Sequence, residues 1–134
     1  SPEVARDAYE TMYRLADLVL PTDEDEALLF GPEKPDEVVE RLKSLGATEV
    51  VLKVGEDGCL IGADSDLIAV PAETVTVVDS TAAGDSFNAG FLAARFNGQD
   101  MPTACRAANR LAATVIQHRG AIIPLDAMPG SSRA

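Results

Sequence analysis

Apolar positions recur at helical spacing in some segments and form short strand-like runs in others. The spacing predicts helices over residues 3–16, within 22–31, over 35–46, and over about 84–97 and 102–118. Short apolar and β-branched runs predict strands at 17–20, 49–55, 59–62, 67–72 and 75–79. Early strand–helix–strand alternation, a central hairpin and two closing helices together predict an α/β fold.

The order of the predicted elements indicates whether the chain is a whole protein or part of one. A doubly wound sheet usually starts with a strand, whereas residues 3–16 are a predicted helix with no strand before it. We therefore expect residues 1–134 to be a single α/β domain that belongs to a larger protein. Residues 125–134 end in Gly-Ser-Ser-Arg-Ala and are predicted to be a flexible tail.

Charge and composition narrow the class of protein. Eleven basic and 22 acidic residues give a net charge of −11, which disfavours nucleic-acid binding because that function needs a basic surface. No apolar run approaches the roughly 18 residues of a membrane span, so no membrane partner is expected. The absence of a basic and then apolar leader predicts a cytoplasmic protein. Cys59 and Cys105 lack metal-ligand spacing and suggest free thiols, with a disulfide as the alternative.

The segment between the predicted strand at 75–79 and the helix that follows carries the strongest chemical signal. Ala82, Ala83 and Gly84 have little or no side chain, so a ligand can approach their backbone N–H groups at the positive end of the helix dipole. Asp85 follows directly and could accept a proton from a substrate hydroxyl. On the local pattern alone, a helix N-cap or first-turn acid explains Asp85 equally well.

The stretch DSTAAGDSFNAGFL, residues 79–92, resembles the second signature of the ribokinase-like (PfkB) carbohydrate kinases. The resemblance implies a Rossmann-like three-layer α/β/α fold, of which this chain is the C-terminal, nucleotide-binding part of the doubly wound sheet. It implies that Asp85 is the catalytic base in contact with the substrate, and that the amides of Ala82, Ala83 and Gly84 form an anion hole. Asp79 and the Thr81 carbonyl would lie near a monovalent-cation site, which suggests K⁺. Ala82 stands where many family members have glycine.

The glycine turn at 53–58 supports the resemblance. Lys53, Gly55 and Gly58 match a Lys/Thr-x-Gly-x-x-Gly element that lines the nucleotide phosphates in the family. A simple hairpin turn is the alternative reading of the same residues.

Three further positions follow from the same resemblance. Thr22 and Asp25 form a shortened version of the family's Asn-x-x-Glu element, which places Thr22 near ATP and Asp25 among the residues that organise Mg²⁺ and its waters. A solvated helix start is the alternative for this acidic run. Asn109 and Gly120, on and after the last helix, would border the adenine.

Within the family, residues 114–124 in particular resemble the 2-keto-3-deoxygluconate kinases. The implied reaction is transfer of phosphate from ATP, with Mg²⁺, to 2-keto-3-deoxygluconate, giving its 6-phosphate. The alternatives are a fructokinase- or ribokinase-type activity and a non-catalytic nucleotide-binding fragment. Family members are about twice this long, so we expect the isolated chain to be weak or inactive and the parent enzyme to be a homo-oligomer through a lid that this chain lacks.

Overall fold

The computed structural model describes residues 1–130. The chain divides into two compact units that meet in sequence between Val70 and Pro71. Leu125–Ala127 form one 3₁₀ turn, and residues 131–134 of the predicted tail lie outside the described residues. The single-domain organisation predicted from the sequence stays a prediction.

The first unit is a four-stranded sheet with three helices. Its strands are β1 (Leu18–Val19), β2 (Glu49–Lys53), β3 (Cys59–Ala63) and β4 (Asp66–Val70), in that spatial order. β1 pairs in parallel with β2, and the other neighbours are antiparallel. The helices are α1 (Pro2–Leu15), α2 (Asp23–Phe30) and α3 (Pro35–Leu45). These elements confirm the α/β prediction for this part of the chain.

The core of the first unit lies between α3 and the sheet. Val39 and Leu42 of α3 are fully buried, as are Val50 and Leu52 of β2. Gly62 of β3 allows this close packing, because a Cβ built there would lie 2.2 Å from Cγ1 of Val39. A side chain at residue 62 would therefore force the helix and the sheet apart.

The apolar positions whose spacing predicted α1 are not its buried face. Val4, Met12 and Leu15 are exposed, and Tyr13 is the one residue of α1 that is buried. The helix itself is confirmed, but it is anchored in this unit through an aromatic residue between the apolar positions.

The second unit is a pair of helices with the segments that flank them. α4 (Ala83–Phe96) packs against α5 (Met101–Val115), and Phe87 and Phe91 of α4 are buried. Gly90 lies at the closest approach, since a Cβ there would be 3.0 Å from Cα of Ala108. Asp100 caps α5 by accepting a hydrogen bond from the Thr103 N–H at 2.8 Å.

Two predictions about the second unit were wrong. Residues 75–79 are not a strand, because within the described residues no neighbouring strand pairs with them; the N–H groups of Val78 and Asp79 instead donate to the carbonyl of Ile116. α5 ends at Val115 rather than near residue 118. After Val115 the chain continues with i→i−3 hydrogen bonds, such as that from the His118 N–H to the Val115 carbonyl. The Ile116 carbonyl accepts the N–H groups of residues 78 and 79 instead of a helical N–H.

The structure also gives the state of the two cysteines and the character of the helices. Cys59 and Cys105 are both buried and are not joined in a disulfide, so the disulfide alternative was wrong. Among residues 1–130, no helix is both long and apolar enough to cross a bilayer.

Candidate active site

The turn that leads into α4 has an uncommon backbone conformation. Ala82 is the N-cap residue and has φ +62° and ψ +18°, in the left-handed region. Alanine rarely adopts this conformation, and such residues concentrate at functional sites. The turn leads directly into α4, and the first N–H groups of any helix point out of its start without a partner inside the helix.

These N–H groups differ in how far they are engaged within the chain. The Ala83 N–H donates to the Ser80 carbonyl at 3.1 Å. The N–H groups of Ala82 and Gly84 have no acceptor within residues 1–130. Helix starts leave such donors for water, a side chain or an anion. Ala82 and Gly84 therefore have unengaged N–H groups and Ala83 does not, while the anion hole itself stays a prediction.

Asp85 lies in the first turn of α4, as its third residue. Its side chain is exposed, and within the described residues its carboxylate accepts no hydrogen bond. The N-cap is Ala82, which has no capping side chain, so the N-cap interpretation of Asp85 was wrong. The structure leaves a first-turn acid with an unengaged carboxylate beside unengaged amides, which is an arrangement that suits a general base.

Asp79 organises the turn before Asp85. Its Oδ1 accepts the Thr81 N–H at 2.9 Å and its Oδ2 accepts the Gly120 N–H at 2.8 Å. Hydrogen bonds from the Thr81 hydroxyl and from the N–H groups of Gly120 and Thr81 lower the pKa of Asp79 from 3.8 to about 2. Its carboxylate is therefore ionised at neutral pH and ties the turn after α5 to the turn before α4. Its predicted role at a monovalent-cation site stays a prediction.

The two residues predicted to border the adenine have different surroundings. Gly120 has φ +77° and joins the Asp79 arrangement through its N–H. Asn109 is buried on α5, and its Nδ2 donates to the Pro71 carbonyl at 3.0 Å. This bond fixes the start of the second unit to α5, so Asn109 has a structural role. Its predicted position beside the adenine stays a prediction.

In the first unit, the structure brings Thr22 and Lys53 together. They form an isolated parallel bridge, and the Lys53 N–H donates to the Pro21 carbonyl at 2.9 Å. Both lie at the carboxyl ends of the parallel strands β1 and β2, the edge where α/β sheets bind ligands. From the sequence, Thr22 and Lys53 were assigned to the same site only because of the family resemblance.

The glycines of the same unit shape the turn that joins β2 to β3. Gly55 and Gly58 have φ +57° and +99°, which favour glycine. Gly55–Asp57 form a 3₁₀ turn, and the Gly58 carbonyl accepts the Val54 N–H at 2.9 Å. The hairpin reading is thus confirmed, and the phosphate-lining role of these residues stays a prediction.

Thr22 and Asp25 cap the start of α2 in a reciprocal manner. The Thr22 hydroxyl donates to Oδ2 of Asp25 at 2.6 Å, and the Asp25 N–H donates to Oγ1 of Thr22 at 3.3 Å. The Asp25 side chain remains exposed. One carboxylate with a hydroxyl is a sparse donor set, but Mg²⁺ commonly binds through one or two carboxylates together with substrate phosphates and water. Within residues 1–130, no group of three or more His, Cys, Asp or Glu side chains is placed to hold a metal ion.

Sequence reasoning missed a buried charged cluster beside Asp25. Glu26 is 1% exposed; its carboxylate accepts the Tyr13 hydroxyl at Oε1 and Nη2 of Arg41 at Oε2, the latter at 3.0 Å. Burial, and then the hydrogen bond to Glu26, raise the pKa of Tyr13 well above its usual value. One sequence signal was present, because Glu26 lies four residues before Phe30 and so shares its helix face.

Backbone N–H groups left without partners at the start of a helix commonly bind phosphate groups. Residues 1–128 match the sequence pattern of the pfkB family of carbohydrate kinases. The chain therefore belongs to the pfkB family of carbohydrate kinases.

Individual relatives agree with this assignment. A 2-dehydro-3-deoxygluconokinase of Dickeya dadantii is 46% identical over 133 residues, which are 96% of this chain and 43% of that protein. The one of Escherichia coli K12 is 42% identical with the same coverage. A putative Ribokinase II of E. coli, solved in complex with ATP and Mg²⁺, is 29% identical with a TM-score of 0.78 and covers 87% of this chain and 38% of that chain. The fold is thus α/β and ribokinase-like, and the chain spans about 43% of the length of the curated relatives it matches.

Proposed function

We propose that the protein to which this chain belongs transfers a phosphate group from ATP to a hydroxyl of a sugar or sugar acid. The observation that carries the proposal is Asp85, an exposed first-turn carboxylate without a partner in the described chain, next to the unengaged N–H groups of Ala82 and Gly84. Membership of a carbohydrate kinase family supports this reading of the site.

In this proposal Asp85 accepts the proton of the attacking hydroxyl and orients its oxygen towards phosphorus. Phosphoryl transfer depends mostly on positioning and on stabilising charge at the equatorial oxygens. The N–H groups of Ala82 and Gly84 would stabilise that charge at the positive end of the α4 dipole. The Ala83 N–H would join them only by leaving the Ser80 carbonyl, to which it donates at 3.1 Å.

ATP and Mg²⁺ are the proposed co-substrate and metal. Lys53, with the turn of Gly55 and Gly58, would lie along the nucleotide phosphates, and Thr22 would lie close to them. Asp25 would organise the waters of Mg²⁺, an ion that neutralises charge on the phosphates when bound. Asn109 and Gly120 would border the adenine, and a K⁺ ion near Asp79 is part of the same proposal.

The proposed substrate is 2-keto-3-deoxygluconate, with its 6-phosphate as the product. The 42–46% identity to 2-dehydro-3-deoxygluconokinases supports this choice over a fructokinase or a ribokinase. A non-catalytic nucleotide-binding protein is the second candidate, because Ala82 and Gly84 could hold phosphate without any chemistry at Asp85.

The intact parent protein, with and without Asp85→Asn, tests the proposal. We expect ATP-dependent phosphorylation in a panel of sugars and keto-sugar acids, with 2-keto-3-deoxygluconate preferred by kcat/KM. Asp85→Asn should lower kcat by about 10²–10⁴-fold, which is the usual contribution of a general base. Asp36→Asn is the matched control, since Asp36 is also an exposed first-turn acid, on α3.

Each part of the proposal has its own contrary result. Full activity of Asp85→Asn would remove Asp85 from the base role. A preference for fructose or ribose would overturn the substrate assignment. ATP binding without turnover of any sugar would favour the non-catalytic candidate.

A further inference from the structure

We propose that Glu26, held by Tyr13 and Arg41, is a positioning residue that fixes the start of α2 and thereby the Thr22–Asp25 pair. The inference rests on the proposed function, because it gives Asp25 its role at the Mg²⁺–nucleotide site. It concerns residues that neither the family resemblance nor the proposed chemistry uses.

The first step is that α2 has little apolar anchorage. Of its eight residues only Glu26 is buried, and Leu28 is 82% exposed. A short helix without a buried apolar face is not held by the hydrophobic contacts that fix most helices. Phe30, at the end of the helix, is the one residue of α2 that packs partly buried against the core of this unit, so polar contacts are needed to fix the start of the helix.

The second step is that Arg41 of α3 holds both ends of α2. Its Nη2 donates to Oε2 of Glu26 at 3.0 Å, in the first half of α2. Its guanidinium carbon lies 4.3 Å from the ring centroid of Phe30, the last residue of the helix. Glu33, just beyond α2, accepts from Nε and Nη2 of Arg41 at 2.9 and 2.6 Å. A planar guanidinium with several bonds fixes direction as well as distance.

The third step is that Tyr13 of α1 holds the other oxygen of Glu26. With Oε1 bonded to the Tyr13 hydroxyl and Oε2 to Arg41, the buried carboxylate has one fixed orientation. A buried ion pair adds little net stability compared with apolar residues of the same volume, whereas it can fix one arrangement among several. We infer that this one fixes the rotation of α2 about its axis.

The fourth step links this rotation to the proposed site. Asp25 is the residue directly before Glu26, so rotation of α2 displaces its carboxylate. Thr22 is joined both to Asp25, at 2.6 Å, and to Lys53 through the parallel bridge. Glu26 therefore acts through Asp25 and contacts no substrate. Groups that hydrogen-bond a metal ligand directly commonly change metal affinity by about 10–100-fold when they are altered, and we expect the lower end of this range because Glu26 acts through the backbone.

Tyr13→Phe in the intact parent protein tests the inference, because it removes one hydroxyl and keeps the ring. Tyr9→Phe is the matched control: Tyr9 is on the same helix, with its ring 5.9 Å from that of Tyr13, and it is 39% exposed. Two quantities are measured. One is the Mg²⁺ concentration for half-maximal phosphorylation. The other is the Kd of Mg²⁺–ADP by calorimetry, and the Kd of ADP without Mg²⁺ is measured as its control.

We expect Tyr13→Phe to raise both Mg²⁺-dependent quantities by about tenfold, with ADP affinity in the absence of Mg²⁺ and the KM for the sugar unchanged. Glu26→Gln, which keeps the shape of the side chain without its charge, should act in the same direction and more strongly. A fall in melting temperature with unchanged Mg²⁺ dependence in both variants would show a merely structural role and overturn the inference.

Failure of the proposed function gives a different result. A wild-type parent protein that binds Mg²⁺–ADP but phosphorylates no sugar overturns the kinase proposal, while the calorimetric comparison still decides the role of Glu26. A wild-type protein that binds no Mg²⁺–ADP overturns both.

Discussion

The backbone N–H of Gly120 donates to Oδ2 of Asp79 at 2.8 Å, across 41 positions of sequence. The other oxygen of the same carboxylate accepts the Thr81 N–H at 2.9 Å. One acidic side chain thus joins the turn after α5 to the turn that presents Ala82 and Asp85. The geometry at the start of α4 depends on a residue six positions before the proposed base.

The first prediction concerns pH. Asp79 has a pKa of about 2 in the folded chain and 3.8 as its ordinary value. A lowered carboxyl pKa contributes stability that is fully present above the ordinary value and is lost as the pH falls through the folded value. We therefore expect the difference in melting temperature between the wild type and Asp79→Asn to be constant from pH 7 to about pH 5 and to shrink between about pH 4 and pH 2.

Asparagine suits this comparison because it has one acceptor oxygen, so one of the Thr81 and Gly120 N–H groups would face an amide NH₂ group. Thermal unfolding followed by circular dichroism at each pH is the measurement. A difference that persists unchanged down to pH 2 would contradict the assigned hydrogen bonds.

The second prediction concerns the contact between α4 and α5. A Cβ at Gly90 would lie 3.0 Å from Cα of Ala108, on the backbone of the neighbouring helix, and 3.3 Å from Cδ2 of Leu111. Gly90→Ala should therefore lower the free energy of unfolding, since overpacking costs about 1–3 kcal/mol and the gain in helix propensity returns about 1 kcal/mol. Urea denaturation measures the difference. Ala89→Gly, at the exposed neighbouring position, measures the propensity contribution separately, and a more stable Gly90→Ala variant would contradict the packing.

The elements of the fold were largely predictable because they depend on local patterns. α3 has Pro35 in its first turn and Gly46 after its end, and both signals act within a few residues. The segment 75–79 has the same apolar character as β2, but a strand also requires a partner strand, and its partner here is a single carbonyl of Ile116. Pairing of that kind cannot be inferred from the composition of the segment itself.

The Asp85 turn could be predicted from the sequence, whereas the Glu26 cluster could not. Asp85 and its small neighbours were found because the motif is contiguous in sequence. The Glu26 cluster was missed because its members, Tyr13, Glu26 and Arg41, lie on three helices and each resembles a surface residue when taken alone. Burial of a charge is a property of tertiary packing, so only the structure distinguishes Glu26 from the exposed acids beside it.

The third prediction concerns the backbone at Ala82, whose φ is +62°. Glycine adopts this conformation without the steric cost that alanine bears, so Ala82→Gly should raise the free energy of unfolding by about 1 kcal/mol. Ala82→Val should lower it, because a β-branched side chain is especially unfavourable there. Chemical denaturation measures both. Ala83→Gly is the control, since Ala83 is already within α4 and should lose stability; a loss in Ala82→Gly of the same size would show that Ala82 is not left-handed in solution.

The fourth prediction separates the chain from the protein to which it belongs. Residues 1–134 cover 43% of the length of the 2-dehydro-3-deoxygluconokinases they resemble, and the residues proposed here account for ATP and the base but for little of a sugar pocket. We therefore expect the purified 134-residue chain to phosphorylate 2-keto-3-deoxygluconate weakly or not at all, while the intact parent protein does so with Asp85 in place. The measurement is a coupled assay of ADP release. The Asp85→Asn variants of the 134-residue chain and of the intact parent protein give the background rates. Strong, Asp85-dependent activity of the 134-residue chain would show that the groups needed to bind the sugar lie within it.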